Sequence, residues 1–240
     1  MPAARGRGVT RRTLLGMAAG AAAGAPFGRA LALTCGLDDK CAPERDLERS
    51  FLCLQPLGDE LPADDVALVL TALQGIVGIP VKALPSAPLP AEAWYAPRRR
   101  YRADKLLDFL DGRLPRNGKR IMGLTGTDIS TTKGTVYDWG VLGLGRIDGR
   151  SSVISRFRCA MKSRGPAHAR ERLAKVAVHE TGHTLGLEHC PNRGCLMEDA
   201  EGRVATCDRE YDFCARCRKL LADAGRALPA DPKIPWPRPR

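Results

Sequence analysis

Three of the four histidines in this 240-residue chain fall within eleven residues, in the stretch HETGHTLGLEH (179–189). On a helix, His179 and His183 lie one turn apart and face the same point, as two imidazoles sharing a metal must. Glu180 stands beside the first of them, where a carboxylate can take a proton from metal-bound water. Gly186 is a natural helix end, and the turn it permits can return His189 as a third ligand. Three protein ligands with one open position are typical of a catalytic zinc.

Four cysteines just after this stretch form two close pairs, Cys190 with Cys195 and Cys214 with Cys217. Four thiolates around one ion are the closed arrangement of a structural zinc, and disulfides are the alternative if the chain is exported. The spacing alone leaves both readings open. Of the other cysteines, Cys35 and Cys41 are the best disulfide candidates. The state of Cys53, Cys159 and Cys207 stays open, although Cys53 lies in an apolar run typical of a core.

Apolar patterns around the histidines predict an α/β fold. Helices are predicted over 62–77, over 103–111, from about 167 through the histidine motif, and over 213–228; strands are predicted over 51–54, 79–84, 120–125, 139–147 and 151–157. The last two strands would be joined by a tight turn at Asp148-Gly149. The glycines of WGVLGLGRI (139–147) indicate that another backbone approaches closely. His168 belongs to no motif and is expected at the surface.

The first 32 residues have the features of an export signal. Arg11 and Arg12 precede a weakly apolar Ala/Gly-rich run that ends in A-L-A at residues 30–32, which favours a twin-arginine signal and a periplasmic or extracellular protein. A membrane helix is disfavoured because the run is short, broken by glycine and stopped by Pro26. A lipid anchor on Cys35 fits poorly. Twin-arginine export carries folded proteins, so zinc can be loaded before exit.

The domains that follow from this are a leader over 1–32, an N-terminal extension over 33–50, a catalytic domain over 51–228 and a proline-rich tail over 229–240. Five arginines and no acids leave with the leader, which lowers the formal charge from +11 to +6. The richest remaining basic cluster, Arg98 to Arg100 with Arg102, is expected to be a solvated face. No recognised nucleic-acid module accompanies the charge, so nucleic-acid binding is not expected.

The motif H-E-x-x-H-x-x-G-x-x-H resembles that of the metzincin metallopeptidases, which also have a methionine turn beneath the metal. More narrowly, the chain resembles the archaemetzincins, in which the third histidine is followed by C-x4-C-x-M and later by C-x-x-C. The matching residues are Cys190, Cys195, Met197, Cys214 and Cys217. The gap from Met197 to Cys214 is sixteen residues, one fewer than in the family pattern. With the stretches GLTGTDI and WGVLGLGRIDGRSSVISRFR, the resemblance spans about 51–221.

The resemblance implies a zinc-dependent peptidase in which Glu180 is the general base and Met197 supports the metal site. Together with the spacing of the four cysteines it favours a structural zinc over disulfides, so two zinc ions per chain are expected. The implied fold is a twisted mixed sheet with an edge strand over the active-site helix and an irregular, zinc-stapled C-terminal part. A peptide or protein substrate would pair with that edge as an extra strand, at Trp139, Gly140, Val141, Leu142 and Gly143. Tyr211 is a weaker candidate to assist the oxyanion. A monomer without a membrane span is expected. The alternative is an exported zinc-stabilised binding protein without peptidase activity, which would have no need of Glu180.

Overall fold

In the computed structural model of the protein, residues 51–59 and 61–238 are described. The predicted leader and the 33–50 extension, with Cys35 and Cys41, lie outside the described residues. The helices are α1 (Ala63–Ala72), α2 (Ala103–Arg113), α3 (Arg156–Ala160), α4 (Pro166–Thr184) and α5 (Ala215–Asp223). The strands are β1 (Leu52–Leu57), β2 (Val81–Ala83), β3 (Trp94–Tyr95), β4 (Arg100–Arg102), β5 (Arg120–Thr125), β6 (Ile129–Lys133), β7 (Val136–Gly140), β8 (Gly143–Gly145) and β9 (Ser151–Ser155).

A five-stranded mixed sheet in the order β2-β1-β5-β9-β8 forms the centre of the domain. Its first four strands are parallel, and β8 pairs antiparallel with β9 at the edge. Leu52 and Leu54 belong to the core shared with α1 and α4, whereas Phe51 and Cys53 belong to the core shared with α2. Alternate residues of a strand point to opposite faces, so the sheet is covered on both sides. The predicted α/β fold with a mixed sheet is confirmed.

A second, four-stranded sheet in the order β3-β4-β6-β7 was not predicted. The prediction of one strand over 139–147 is wrong, because this stretch contains the end of β7 in the second sheet and β8 in the first. The amide of Val141 donates to the carbonyl of Ile129 in β6, while the next residue, Leu142, accepts from Ser155. The chain therefore changes sheets between residues 141 and 142.

Helix ends differ from the sequence pattern where glycine adopts a left-handed conformation. The predicted 62–77 helix consists of α1 and a π-helical turn, Leu73–Val77, that stops at Gly78 with φ 75°. The last helix ends at Asp223 instead of extending to 228, since Gly225 has φ 70° and the Arg226 amide bonds back to the carbonyl of Leu221. Such a turn satisfies carbonyls at the helix end.

Two surface expectations are corrected. His168 is not at the surface: its side chain is 9% exposed and its Nε2 lies 2.7 Å from Asp208 Oδ1. Arg100 and Arg102 are buried in ion pairs with Asp128, Asp138 and Asp104, so only Arg98 and Arg99 of the basic cluster are exposed. Burial of these guanidinium groups is tolerated because each is paired with a carboxylate.

The tail after α5 has no regular structure but packs on the domain. Trp236 is buried, and its indole nitrogen donates to the carbonyl of Tyr211. The Lys233 amide donates to the carbonyl of Gly75. Within the described part of the chain, no helix has the length and apolar character needed to cross a membrane.

Candidate active site

Helix α4 delivers the first two histidines from the middle of the domain. Most of its second half is buried, and it starts with Pro166, whose fixed φ suits the first turn of a helix. Beyond Thr184 the chain turns at Gly186, which has φ 94°, and the Leu187 amide bonds back to the carbonyl of Gly182. This turn returns His189 towards α4.

The three imidazoles meet at one point. Nε2 of His179 lies 3.0 Å from Nε2 of His183. One potential metal-ligand nitrogen from each of the three rings lies within 4.8 Å of the other two. A zinc ion bound tetrahedrally at about 2.0 Å would hold its nitrogens about 3.3 Å apart. The geometry therefore fits a three-histidine site for one zinc.

Hydrogen bonds from the far side fix the rings of the two helical histidines. Nδ1 of His179 lies 2.6 Å from the carbonyl of Leu196, and Nδ1 of His183 lies 2.7 Å from the carbonyl of Leu187. A carbonyl only accepts, so Nδ1 carries the proton and Nε2 keeps its lone pair for a metal. Burial lowers the pKa of His179 to about 3 and also lowers that of His183, which keeps both rings neutral.

His189 is the more exposed ligand candidate, and Asp199 is its acidic neighbour. Nδ1 of His189 lies 3.5 Å from a carboxylate oxygen of Asp199. Carboxylates in this position orient metal-binding histidines in many zinc sites.

Glu180 is buried between α4 and the edge strand β8, with 6% of its surface exposed. A Cβ atom on Gly143 would stand 2.6 Å from Oε1 of Glu180, and one on Gly145 would stand 3.2 Å from Oε2. Burial raises the pKa of Glu180 to about 8, against the opposing effect of a hydrogen bond from the Gly145 backbone. The element that approaches these glycines is thus the active-site helix, which explains part of the glycine pattern of WGVLGLGRI.

Met197 lies in the core next to α4. It is fully buried, and its sulfur contacts α4 at Gly182, where a Cβ atom would clash with it. This contact lies one residue before His183. Packing of Met197 therefore supports the helix at the point where it presents a ligand.

The four cysteines after the histidines form a second cluster. Sγ of Cys190 lies 3.6 Å from Sγ of Cys214, and Sγ of Cys195 lies 3.7 Å from Sγ of Cys217. All four sulfurs lie within 4.8 Å of one another. Tetrahedral zinc with bonds of about 2.3 Å places its sulfurs about 3.8 Å apart, whereas a disulfide needs about 2.05 Å. The cluster fits a four-thiolate zinc.

Backbone amides point at these sulfurs, as they do around metal-bound thiolates. The amides of Met197 and Cys214 each lie 3.4 Å from Sγ of Cys195, and the Asn192 amide lies 3.5 Å from Sγ of Cys190. Cys190 and Met197 are also joined by a backbone hydrogen bond of 2.7 Å. The cysteine cluster and the methionine turn therefore form one unit. Cys53, Cys159 and Cys207 are buried free thiols.

A cleft of about 560 Å³ runs along the histidines and Glu180. Of the predicted substrate-binding residues, Trp139, Val141, Leu142 and Gly143 line it. Gly140 does not: it faces the guanidinium group of Arg158, which leaves no room for a side chain. Tyr211 is also absent from the cleft wall; its ring contacts Arg238.

Several cleft residues were missed from the sequence. Asp199, Cys207 and Glu210 lie in the irregular segment after Met197, and Val176 lies one turn before Glu180 on α4. Only Val176 carried a signal, since a residue four positions before Glu180 shares its side of the helix.

Comparison with known proteins places this site in a family. A family model described as peptidase family M54 matches residues 79–223, more than half of the chain. The chain belongs to peptidase family M54, the archaemetzincins. The archaemetzincin of Haloquadratum walsbyi is 32% identical over 173 residues, which cover 69% of this chain and 96% of that protein. The archaemetzincin of Methanopyrus kandleri is 36% identical over 135 residues, which cover 56% of this chain and 73% of that protein.

Solved archaemetzincins share the fold. The crystal structure of the Methanopyrus kandleri protein matches with a TM-score of 0.64 and 32% identity, over 76% of this chain and 97% of that chain. The Archaeoglobus fulgidus archaemetzincin, solved in complex with malonate, matches with a TM-score of 0.59 and 32% identity, over 70% and 98% of the two chains. This chain is therefore a zinc metallopeptidase by family.

Proposed function

We propose that this archaemetzincin hydrolyses peptide bonds at the site formed by His179, His183 and His189, with Glu180 as the general base. The observation that carries the proposal is the position of Glu180, buried beside the three imidazoles and open to the same cleft. A zinc ion held by the three histidines would polarise the scissile carbonyl and lower the pKa of water to about 7. The positive charge of that zinc would favour the ionised form of Glu180, which accepts the proton of the attacking water and delivers it to the leaving amine.

The protein orients the groups that take part in that proton transfer. The carbonyls of Leu196 and Leu187 hold the rings of His179 and His183, while Gly143 and Gly145 hold the Glu180 carboxylate against β8. A substrate strand would lie along β8, which is one of the two edge strands of the five-stranded sheet. The cleft wall at Trp139, Val141, Leu142 and Gly143 supports this placement.

We further propose a second, structural zinc held by Cys190, Cys195, Cys214 and Cys217. The sulfur spacing and the amide hydrogen bonds to the sulfurs support it. Its role would be to fix the irregular segment after α4 beneath the active site.

The experiment that tests the peptidase proposal is cleavage of a mixed peptide library by the zinc-loaded chain from Leu33 onward, read by mass spectrometry. Glu180→Gln keeps the shape of the side chain but removes the base, and should lower the cleavage rate about 100-fold or more. Glu92→Gln, on the exposed surface, is the matched control and should cleave like the parent. Equal cleavage by the parent and Glu180→Gln would rule out Glu180 as the base.

The second candidate function is an exported, zinc-stabilised binding protein. Absence of cleavage by the parent, with zinc bound at the histidines, would favour it. The retained Glu180 argues for the enzyme, because a metal scaffold without catalysis gains nothing from a buried carboxylate beside the ligands.

We also propose that the chain is exported through the twin-arginine route, that it is a monomer and that it does not bind nucleic acid. Arg100 and Arg102 are engaged in internal ion pairs, which leaves little of the basic cluster for a phosphate backbone.

Changing Arg11 and Arg12 to lysine should retain the unprocessed chain in the cytoplasm of a bacterium with a twin-arginine system, as judged by immunoblotting of cell fractions. Light scattering, which measures the molecular mass in solution, tests whether the protein is a monomer.

A further inference from the structure

The lining of the active-site cleft also includes Val176 on α4, Cys207 and Glu210. Val176 lies one turn before Glu180, so this part of the cleft adjoins the reacting centre. Cys207 belongs to the short 3₁₀ turn Val204–Asp208, which follows the methionine turn. We call the space bounded by Val176, Cys207 and Glu210 the inner pocket.

Glu210 is buried in this wall without a partner. Its exposed fraction is 2%, and no side-chain hydrogen bond or ion pair involves its carboxylate within residues 51–59 and 61–238. Burial raises its pKa well above the ordinary glutamate value, and the nearby Lys175 only partly opposes this effect. A buried carboxylate without a hydrogen-bond partner is costly, and one that lines a cleft is a candidate binding group.

The cations near Glu210 are already used. Nζ of Lys175 donates to Glu171 at 2.7 Å and to the carbonyl of Cys207 at 2.9 Å. Arg209 is paired with Glu198. Glu210 is therefore the carboxylate in this cluster that lacks a dedicated counter-ion, although it lines an open cleft.

The position of Glu210 is rigidly held. Arg172 on α4 forms a two-pronged ion pair with Asp208, with both nitrogen–oxygen distances 2.7 Å, and His168 bonds to the same carboxylate. On the other side, the Tyr211 amide bonds to the carbonyl of Gly194. Glu210 lies between these two anchors, and such support preorganises a binding group.

Carboxyl groups are the most numerous ionisable side chains that line the cleft. Its wall carries five carboxylates and one lysine, Lys133, although the formal charge of the chain is +11. The acidic residues are Glu180, Glu188, Asp199, Glu201 and Glu210. A positively charged peptide would be attracted to this surface.

We propose that the inner pocket selects a lysine or arginine side chain of the peptide substrate, which forms an ion pair with Glu210. This inference rests on the proposed peptidase function for its biological meaning, because it names the class of substrate that the same cleft accepts. The pairing supplies the counter-ion that Glu210 lacks. It also fixes which residue of the peptide lies beside Val176, and so which bond faces Glu180.

Peptide binding to the zinc-loaded Glu180→Gln protein tests the proposal without requiring cleavage. The probes are N-acetylated alanine-based peptide amides in which one lysine is moved along the chain, each compared by calorimetry with its norleucine and glutamine counterparts. Lysine at one position should bind at least about tenfold more tightly than norleucine. No lysine preference at any position would overturn the proposal, and equal preference for glutamine would replace the ion pair by a neutral hydrogen bond.

Variants of the pocket assign the preference to Glu210. Adding Glu210→Gln to the same background should abolish the lysine preference, whereas the control Glu92→Gln, on the exposed surface outside the cleft, should retain it. Zinc content and thermal unfolding establish that each variant is folded. If Glu210→Gln does not fold, Glu210→Asp replaces it, and the shorter carboxylate should shift the preference from lysine towards arginine. A lysine preference unchanged in the folded variant overturns the proposal.

Cleavage by the active parent separates this inference from the peptidase proposal. Cleavage without lysine or arginine enriched at a fixed position removes the inference and leaves the peptidase intact. Selective lysine binding without cleavage by the parent would support the inference and count against the peptidase proposal.

Discussion

Gly143 of the edge strand lies directly against the side chain of Glu180, so that a Cβ atom at residue 143 would stand 2.6 Å from Cγ and Oε1 of the glutamate. Real Cβ atoms do not approach other atoms this closely, so one of the two must move. The absence of a side chain at residue 143 is therefore part of what positions the proposed base.

Gly143→Ala should displace the Glu180 carboxylate without removing it. A shift of about 1 Å at a catalytic group costs about 100-fold in rate, so kcat/KM should fall by this order while the zinc content stays constant. Gly112→Ala in α2, where a Cβ atom meets nothing within 4 Å, is the control and should leave the activity unchanged. Full activity of Gly143→Ala would show that Glu180 tolerates displacement and would weaken its assignment as the base.

Met197 is expected to act through packing alone. Met197→Ala leaves a cavity beneath Gly182 and should lower the free energy of unfolding by about 2–5 kcal/mol. Met197→Leu conserves volume and should cost less than about 1.5 kcal/mol. Urea unfolding of the zinc-loaded proteins measures both values. Loss of peptidase activity in a stable Met197→Leu protein would instead indicate a specific role for the sulfur.

The features that could be predicted from the sequence depend on residues close together in the chain, whereas the features that were missed depend on contacts between distant residues. His179 and His183 meet because they are four residues apart on one helix, and Cys190 follows His189 directly. The sheet change at Val141 and Leu142 depends on hydrogen bonds to Ile129 and Ser155, which no pattern within WGVLGLGRI encodes.

Glu210 was missed for a related reason. The segment from Val204 to Glu210 has neither helical nor strand periodicity, and its place in the cleft depends on the contact of Asp208 with Arg172, 36 residues away. The irregular C-terminal part could be predicted as irregular, but its contacts with α4 could not.

The four-cysteine cluster should account for one zinc ion per chain. Cys217→Ser replaces a buried ligand by a hydroxyl group, which is a poor zinc ligand, so metal analysis should show one zinc where the parent has two. Cys53→Ala, in the core behind the sheet, should retain two and serves as the control. Structural zinc contributes on the order of 10 kcal/mol to folding, so Cys217→Ser should also unfold at a lower temperature. An unchanged zinc count would remove the structural site.

The ion pair between Arg172 and Asp208 should stabilise the segment that carries Glu210. Arg172 is buried and Asp208 is partly buried, so Asp208→Asn should lower the free energy of unfolding by about 3 kcal/mol. Burial alone would raise the pKa of Asp208, but the hydrogen bonds from Arg172 and His168 outweigh it and hold the pKa below the ordinary value of 3.8. A group whose pKa is lower in the folded state stabilises the protein above its unfolded pKa.

The difference between parent and Asp208→Asn should therefore be constant from pH 8 to pH 5. It should shrink only as the pH falls below 3.8 through the lower pKa of the folded state. Urea unfolding across this range, with Asp231→Asn at the exposed tail as the control, measures the difference. A difference that already falls between pH 8 and pH 5 would contradict the assignment of this stabilisation to the Asp208 carboxylate.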